Sequence, residues 1–370
     1  MTAASRAAQP LVTPGPPHRL VRVLVGTDFW GAGNLGDDLV LAGFAAWLAQ
    51  ARPAWSVSIL CAHDRDAMRL RFPQFEWMAA DEATRRTALS QTDLWVGLGG
   101  SVFQTDEGPW LLERIAADLR VATQHQVPAV LVGVGLNNDE AVNHPLAGEI
   151  VDRVQGLWVR DLYCHRVLQA AHPGLGTLRL GADIAHLAFE EAAAAPLAGS
   201  AACLIAPPEQ VNAQAVIEAL HDDGLMPTWF CQEVRSLPGS EASLHACLPA
   251  ALQARAPLRR PDYGHATLEQ LVSAMCGFSA VLTSRYHMAL ASAWSGARVA
   301  VFDRNAKLTG IREELGLAEC ATLRSREAIA EALRRSRPAD RARLHACATR
   351  AQRMFNELSD FVRALPEAHV

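Results

Sequence analysis

Apolar residues along this chain come in short continuous runs that alternate with stretches apolar at helical spacing. "LVRVLV" (20–25) is a β-branched run, and "LVLAGFAAWLAQA" (39–51) repeats its apolar positions with a helical period. Further runs follow at 55–63, 94–100 and 128–136, with an amphipathic segment "LLERIAADLRVATQHQ" at 111–126. "GLWVRD" (156–161), "LYCHRVLQAAH" (162–172) and "TLRLGADIAHLAF" (177–189) continue the alternation. The second half repeats it. Strands are predicted at "AACLIAPP", "MPTWFCQE", "SAVLTS" and "ARVAVFD", and helices at 214–224, 267–277 and 285–296. A long helix is predicted over 339–365.

Strands that are apolar throughout, separated by helices, belong in parallel sheets covered on both faces. The pattern predicts an α/β protein of two Rossmann-like, doubly wound domains facing a cleft. The expected division is a flexible tail at 1–19, domains at 20–195 and 196–337, and a C-terminal helix at 338–370. The Ala-rich "EEAAAAPLAGSA" is the expected linker.

With 370 residues, half of them hydrophobic, the chain has ample core for two domains. Its net charge of −5 leaves no basic surplus to neutralise phosphates, which argues against a nucleic-acid partner. The eight cysteines are scattered without a C-x-x-C pair, so neither a zinc site nor a disulfide framework is expected. No run approaches the roughly 20 apolar residues of a membrane span, and the first residues lack the apolar stretch of a signal peptide. The expected location is cytoplasmic.

Open parallel sheets bind ligands beyond the carboxyl ends of their strands, so chemistry is sought in those loops. "GTDFWGAGNLGDD" (26–38) places Gly31, Gly33 and Gly36 between a strand and a helix. Their spacing fits the dinucleotide fingerprint, but no acidic residue closes the next strand before Asp64. Asp37 or Asp38 can also cap the helix. Gly99, Gly100 and Ser101 end another strand, where backbone can approach a ligand closely. Asn137 could bind sugar hydroxyls or simply make a turn. Arg160 and Asp161 end a strand, with a surface ion pair or a helix cap as the ordinary reading. Asp183 and His186 sit in an apolar segment, where a histidine is usually packed.

Most informative is "TSRYHMALASAWSGARVAVFDRNAK" (283–307). Ser284 is expected to cap a helix whose first turn carries Arg285 and His287. Cations there oppose the helix dipole, so a sequence built for stability alone would avoid them. Guanidinium, imidazole and free N–H groups together suit a phosphate or carboxylate. Lys307 adds a cation after the next strand.

Together and in order, these segments resemble the polysaccharide pyruvyl transferase family. Gly33, Asn34, Gly36 and Asp37 match its first loop, Asp93, Gly99 and Gly100 its glycine-rich turn, and Val159, Arg160 and Asp161 a later segment. Arg285, His287 and Lys307 match its Arg-x-His helix and the lysine beyond it, with "ELGL" at 314–317. Departures are Ser101 for a third glycine, "GLNN" for a Gly-Pro ending, "ADIAHLAF" without its proline, and "CLIAPPEQ" without a basic residue. The resemblance implies a fold like that of two-domain (GT-B) glycosyltransferases. It also implies transfer of pyruvate from phosphoenolpyruvate onto hydroxyls of a saccharide or glycoside as a ketal. In that reading Arg285 clamps the donor, His287 is the general acid and Asp37 a base or acceptor ligand. Gly33, Asn34, Gly36, Gly99, Gly100, Ser101, Asn137, Arg160, Ser284 and Lys307 bind substrate. No metal or cofactor beyond the donor substrate is expected, and homo-oligomerisation is left open. Two other readings stay open: a glycosyltransferase with a nucleotide-sugar donor, and a non-catalytic binding relative.

Overall fold

The structure, a computed structural model, describes residues 20–51, 53–106, 108–189, 197–204, 211–234 and 240–365. The expected tail at 1–19 and most of the expected Ala-rich linker lie outside the described residues.

Each apolar run forms a parallel strand. In chain order the first half holds β1 (Val21–Val25), α1 (Leu35–Ala51), β2 (Trp55–Cys61), α2 (Arg65–Arg71), β3 (Glu76–Ala79), α3 (Glu82–Ser90), β4 (Leu94–Leu98), α4 (Trp110–Gln124), β5 (Ala129–Val134), α5 (Pro145–Arg153), β6 (Gly156–Val159), α6 (Leu162–Ala171) and β7 (Leu178–Leu180). A 3₁₀ turn at Ile184–Ala188 follows. The strand order is β3-β2-β1-β4-β5-β6-β7, so the chain reverses direction across the sheet between β1 and β4. β4 and β5 are buried along their whole length, as continuous apolar strands covered on both faces must be.

The second half holds β8 (Leu197–Leu204), α7 (Ala213–Asp222), β9 (Met226–Phe230), α8 (Glu241–Ala246), α9 (Ala250–Arg255), β10 (Leu258–Arg259), α10 (Leu268–Cys276), β11 (Phe278–Thr283), α11 (Tyr286–Ser295), β12 (Arg298–Val301), α12 (Ala306–Leu315), β13 (Ala318–Glu319) and α13 (Arg326–Arg335). Its order, β10-β9-β8-β11-β12-β13, repeats the first. The strands missing from the sequence reading are β3, β10 and β13. All three are sheet edges of two to four residues, too short to show a period.

The last helix, α14 (Arg341–Arg363), returns to the first sheet's domain. Phe355 stacks on Trp47 of α1 at 4.7 Å between ring centroids, and Glu357 accepts from Trp158 Nε1 at 2.9 Å. Among the described residues no helix is long and apolar enough to cross a membrane.

Several contacts lock the two sheets' domains edge to edge. Asn34 forms an antiparallel bridge with Glu233. Leu35 N–H donates to Gln232 O at 3.0 Å, and Val234 N–H to Gly33 O at 2.8 Å. Asp38 is fully buried between Arg71 (3.1 Å) and the Tyr263 hydroxyl (3.0 Å), and Arg71 also donates to Tyr263 O at 2.6 Å.

Candidate active site

The site lies where the loop after β1 meets the loop after β11, at the carboxyl ends of both central strands. His287 is the second residue of α11 and is mostly buried. Its Nε2 lies 3.5 Å from Asp183 Oδ2. Its other ring nitrogen, Nδ1, lies against Gly36, and a Cβ built on Gly36 would stand 2.2 Å from it. Gly36 is therefore needed for close approach, with no unusual backbone angle involved.

Asp183 ends the segment after β7. Its Oδ1 accepts Ala185 N–H at 3.0 Å, which fixes the carboxylate at the head of the 3₁₀ turn. Burial would raise this carboxyl, but His287 and Arg160 outweigh it and hold it below the ordinary range. Asp183 is thus an anion held against an imidazole. The sequence reading placed it in a packed segment and gave it no role. Its one legible signal was an acidic residue closing an apolar strand at the cleft edge.

Asp37, in the first turn of α1, is half-buried. Burial, with Asp38 and Glu233 nearby, pushes its carboxyl well above the ordinary range, while Lys307 and its positive charge pull the other way. Lys307 is the second residue of α12, behind the cap Asn305. So Asp37, Asp183, His287, Glu233 and Lys307, drawn from both domains, share one electrostatic environment.

Arg285 differs from expectation in two ways. It occupies the N-cap position itself, its N–H donating to Thr283 Oγ1 at 2.9 Å, whereas Ser284 was expected there. Ser284 is buried and its hydroxyl has no hydrogen-bond partner. In addition, Arg285 Nε donates to buried Glu241 at 2.5 Å, and its guanidinium lies 3.6 Å from Glu233. Two carboxylates offset its charge, so the positive corner expected from Arg285, His287 and Lys307 is weaker than the sequence implied.

Other expected ligand residues serve the framework. Arg160 is 1% exposed, donates to Leu136 O and lies over the Tyr286 ring at 4.4 Å. It backs the site through Tyr286 and through its field on Asp183. Asn137 ties the domains. Its carbonyl accepts Ala306 N–H at 3.1 Å, and its side-chain oxygen accepts from Asn305 at 3.2 Å. Gly33 and Asn34 form the interdomain seam, with Asn34 Oδ1 accepting from Gln232 and Gly36 N–H. Gly99 and Gly100 both have positive φ, and their backbones approach the side chains of Val40 and Phe29. Ser101 follows them, half-buried.

His186, Glu314 and Cys347 carry potential metal ligands within 4.8 Å of one another. Each of the three has one atom engaged by a neighbour. His186 Nδ1 accepts from Trp294 Nε1 at 3.1 Å, so its proton sits on Nε2 and leaves no lone pair there for a cation. Arg350 pairs with Glu314 and lies 3.4 Å from Cys347 Sγ. A cavity of about 1090 Å³ opens at the opposite, amino ends of β1 and β4, beside Asp93 and Gln126, far from any of this chemistry.

Residues 34–305 match the family model described as polysaccharide pyruvyl transferase. The chain belongs to that family. The matched span opens at the loop holding Asn34 and Gly36 and takes in Asp183, Arg285 and His287. No curated protein sequence matches the chain. In fold, this pyruvyl transferase family member is similar to UDP-GlcNAc 2-epimerase from Neisseria meningitidis bound to UDP-GlcNAc, with a TM-score of 0.61 and 10% identity over 92% of this chain and 99% of that one. It is also similar to Anabaena Alr3699/HepE in complex with UDP and glucose (TM-score 0.58, 10% identity, 93% and 100% covered). The UDP-GlcNAc 2-epimerase of Methanocaldococcus jannaschii gives a TM-score of 0.57 at 12% identity, with 92% and 99% covered. The fold is GT-B-like: two parallel-sheet domains and a C-terminal helix.

Proposed function

We propose that this family member transfers pyruvate from phosphoenolpyruvate onto two hydroxyls of a saccharide or glycoside as a ketal. The observation that carries the reading is the Asp183–His287 pair, set against Gly36 at the carboxyl ends of both sheets. Ketal formation needs a proton delivered to the donor's methylene carbon and a proton removed from an attacking hydroxyl. Asp183 faces Nε2 and stabilises the imidazolium, leaving Nδ1 as the nitrogen that gives up the proton. That transfer makes the methyl group and leaves C2 open to the first hydroxyl oxygen. Asp37, in the first turn of α1, takes the hydroxyl proton. The C2–O bond to phosphate then breaks, the second hydroxyl attacks C2, and its proton departs with phosphate. Lys307 and the N–H groups opening α11 and α12 suit the donor's carboxylate and phosphate. Arg285, already matched by Glu241 and Glu233, supplies directed N–H donors more than net charge.

The test is phosphate release from phosphoenolpyruvate with a panel of glycosides, read with mass spectrometry of the acceptor. A gain of one pyruvate ketal supports the reading. The absence of both a gain and a shift in melting temperature with phosphoenolpyruvate overturns it, and stabilisation by a nucleotide sugar instead would favour glycosyl transfer.

A further inference from the structure

A second concavity lies at the carboxyl ends of β2 and β3, beside the loop that leads to Gly36. It has a volume of about 430 Å³, within the usual range for small-ligand sites. His63, Arg65, Asp81 and Arg114 contribute its polar lining. None of them belongs to the Asp183–His287 site.

The lining is richer in cationic donors than in acceptors. Asp81 spends its oxygens on Thr84, whose N–H and hydroxyl both donate to it as α3 begins. Arg114 reaches the buried carboxylate of Asp28, but Asp28 also receives Arg85 at 2.7 Å. Arg85 is shared in turn with Asp118 at 2.5 Å. One buried anion thus anchors two guanidiniums, and Arg114 remains 41% exposed at the cavity wall. Arg65, at the start of α2, is exposed.

An aromatic side chain lies one helical turn from Arg114, just outside the residues that line the concavity. Trp110 opens α4 four residues before Arg114, so the two occupy successive turns of one helix face. Among the described residues Trp110 is the one tryptophan left exposed, at 39%. An indole face and two guanidiniums, that of Arg114 anchored on Asp28, form a combination that binds a sugar ring carrying a negative group.

We infer that this concavity is a subsite for an anionic saccharide, a phosphate- or carboxylate-bearing extension of the acceptor, held by Arg65 and Arg114 and stacked on Trp110. The inference rests on the pyruvyl-transfer reading for its role and deepens it by naming the acceptor's class. β3 lies two strand spacings from β1, roughly 10 Å. An acceptor occupying both places is therefore longer than a single sugar ring.

The test uses the full chain with glucose 1-phosphate, methyl galacturonide and methyl galactoside as probes. Thermal shift and tryptophan fluorescence are followed on titration. Saturable binding of an anionic sugar, at least about tenfold tighter than the neutral galactoside, is expected. Which anionic probe binds distinguishes phosphate from carboxylate. Arg65→Gln and Trp110→Leu should each weaken that binding about tenfold or more while leaving the shift caused by phosphoenolpyruvate unchanged. Equal binding of charged and neutral sugars, no saturable binding of either anionic probe, or anionic binding indifferent to both substitutions overturns the inference. Arg65-dependent binding without pyruvyl transfer would keep the subsite and sink the proposed reaction. Pyruvyl transfer to neutral glycosides, indifferent to Arg65→Gln, would do the reverse.

Discussion

His287 Nε2 and Asp183 Oδ2 face each other at 3.5 Å across the boundary between the two domains. Neither domain alone holds the pair, so the acid–base group exists only where the two domains meet. Asp183→Asn keeps the shape and the cap to Ala185 while removing the charge that favours the imidazolium. Turnover is expected to fall by about 10²-fold or more, the usual worth of a general acid. Turnover measured in a variant of unchanged melting temperature reads this out, and turnover within a few-fold of wild type would remove Asp183 from the proton chemistry.

Gly36→Ala tests the same pair from the other face. Its Cβ would lie 2.2 Å from His287 Nδ1 and 3.0 Å from His287 Cβ, so the ring must shift. Alanine itself is favoured over glycine inside a helix by up to about 1 kcal/mol. The expected outcome is a near-neutral melting temperature with a large loss of turnover. Retained turnover would show that Nδ1 is not the working nitrogen.

The fold was legible because most strands are continuous apolar runs, and those runs need both faces covered. The site was half legible. His287 stood out, together with Arg285, because cations at a helix start cost stability, and Lys307 stood out only as a further cation after the next strand. Asp183 did not, because its importance comes from a partner 104 positions away on another domain, and no local pattern records that. Arg160 was half legible for a related reason. Its ion pair with Asp161 was the ordinary reading at a strand end, but its burial under Tyr286 was not visible in the sequence. Gly33 and Asn34 likewise read as a ligand loop, although their backbone and side-chain groups are taken by Gln232, Glu233 and Val234.

Asp38 gives the domain seam a pH dependence. Burial raises its carboxyl to about 7, against the opposing pull of Arg71 and the Tyr263 hydroxyl. The unfolded chain releases this proton near pH 4, so between about pH 4 and 7 the folded state holds more protons than the unfolded one. Stability from this group is therefore fully present below pH 4 and is lost as pH rises to about 7. Asp38→Asn cannot titrate. The difference in melting temperature between variant and wild type should move in the variant's favour across that window and level off above it. A difference that stays flat from pH 4 to 8 would refute the assignment.

α14 is the element that returns the chain to its first domain, and Phe355 is its principal anchor. The ring is fully buried and stacks on both Phe44 and Trp47 of α1, at 5.5 and 4.7 Å. α1 also carries Gly36 and Asp37, so α14 packs on the helix that presents the site. Phe355→Ala removes a large buried ring from a well-filled core, which typically costs about 3–5 kcal/mol. Urea unfolding should show a loss in that range. The geometry of Gly36 against His287 is set at the far end of α1, so the folded fraction should retain most of its turnover per molecule. A proportionate loss of turnover in protein that is still folded would mean that α1 is positioned by α14 rather than by the seam at Asn34 and Asp38.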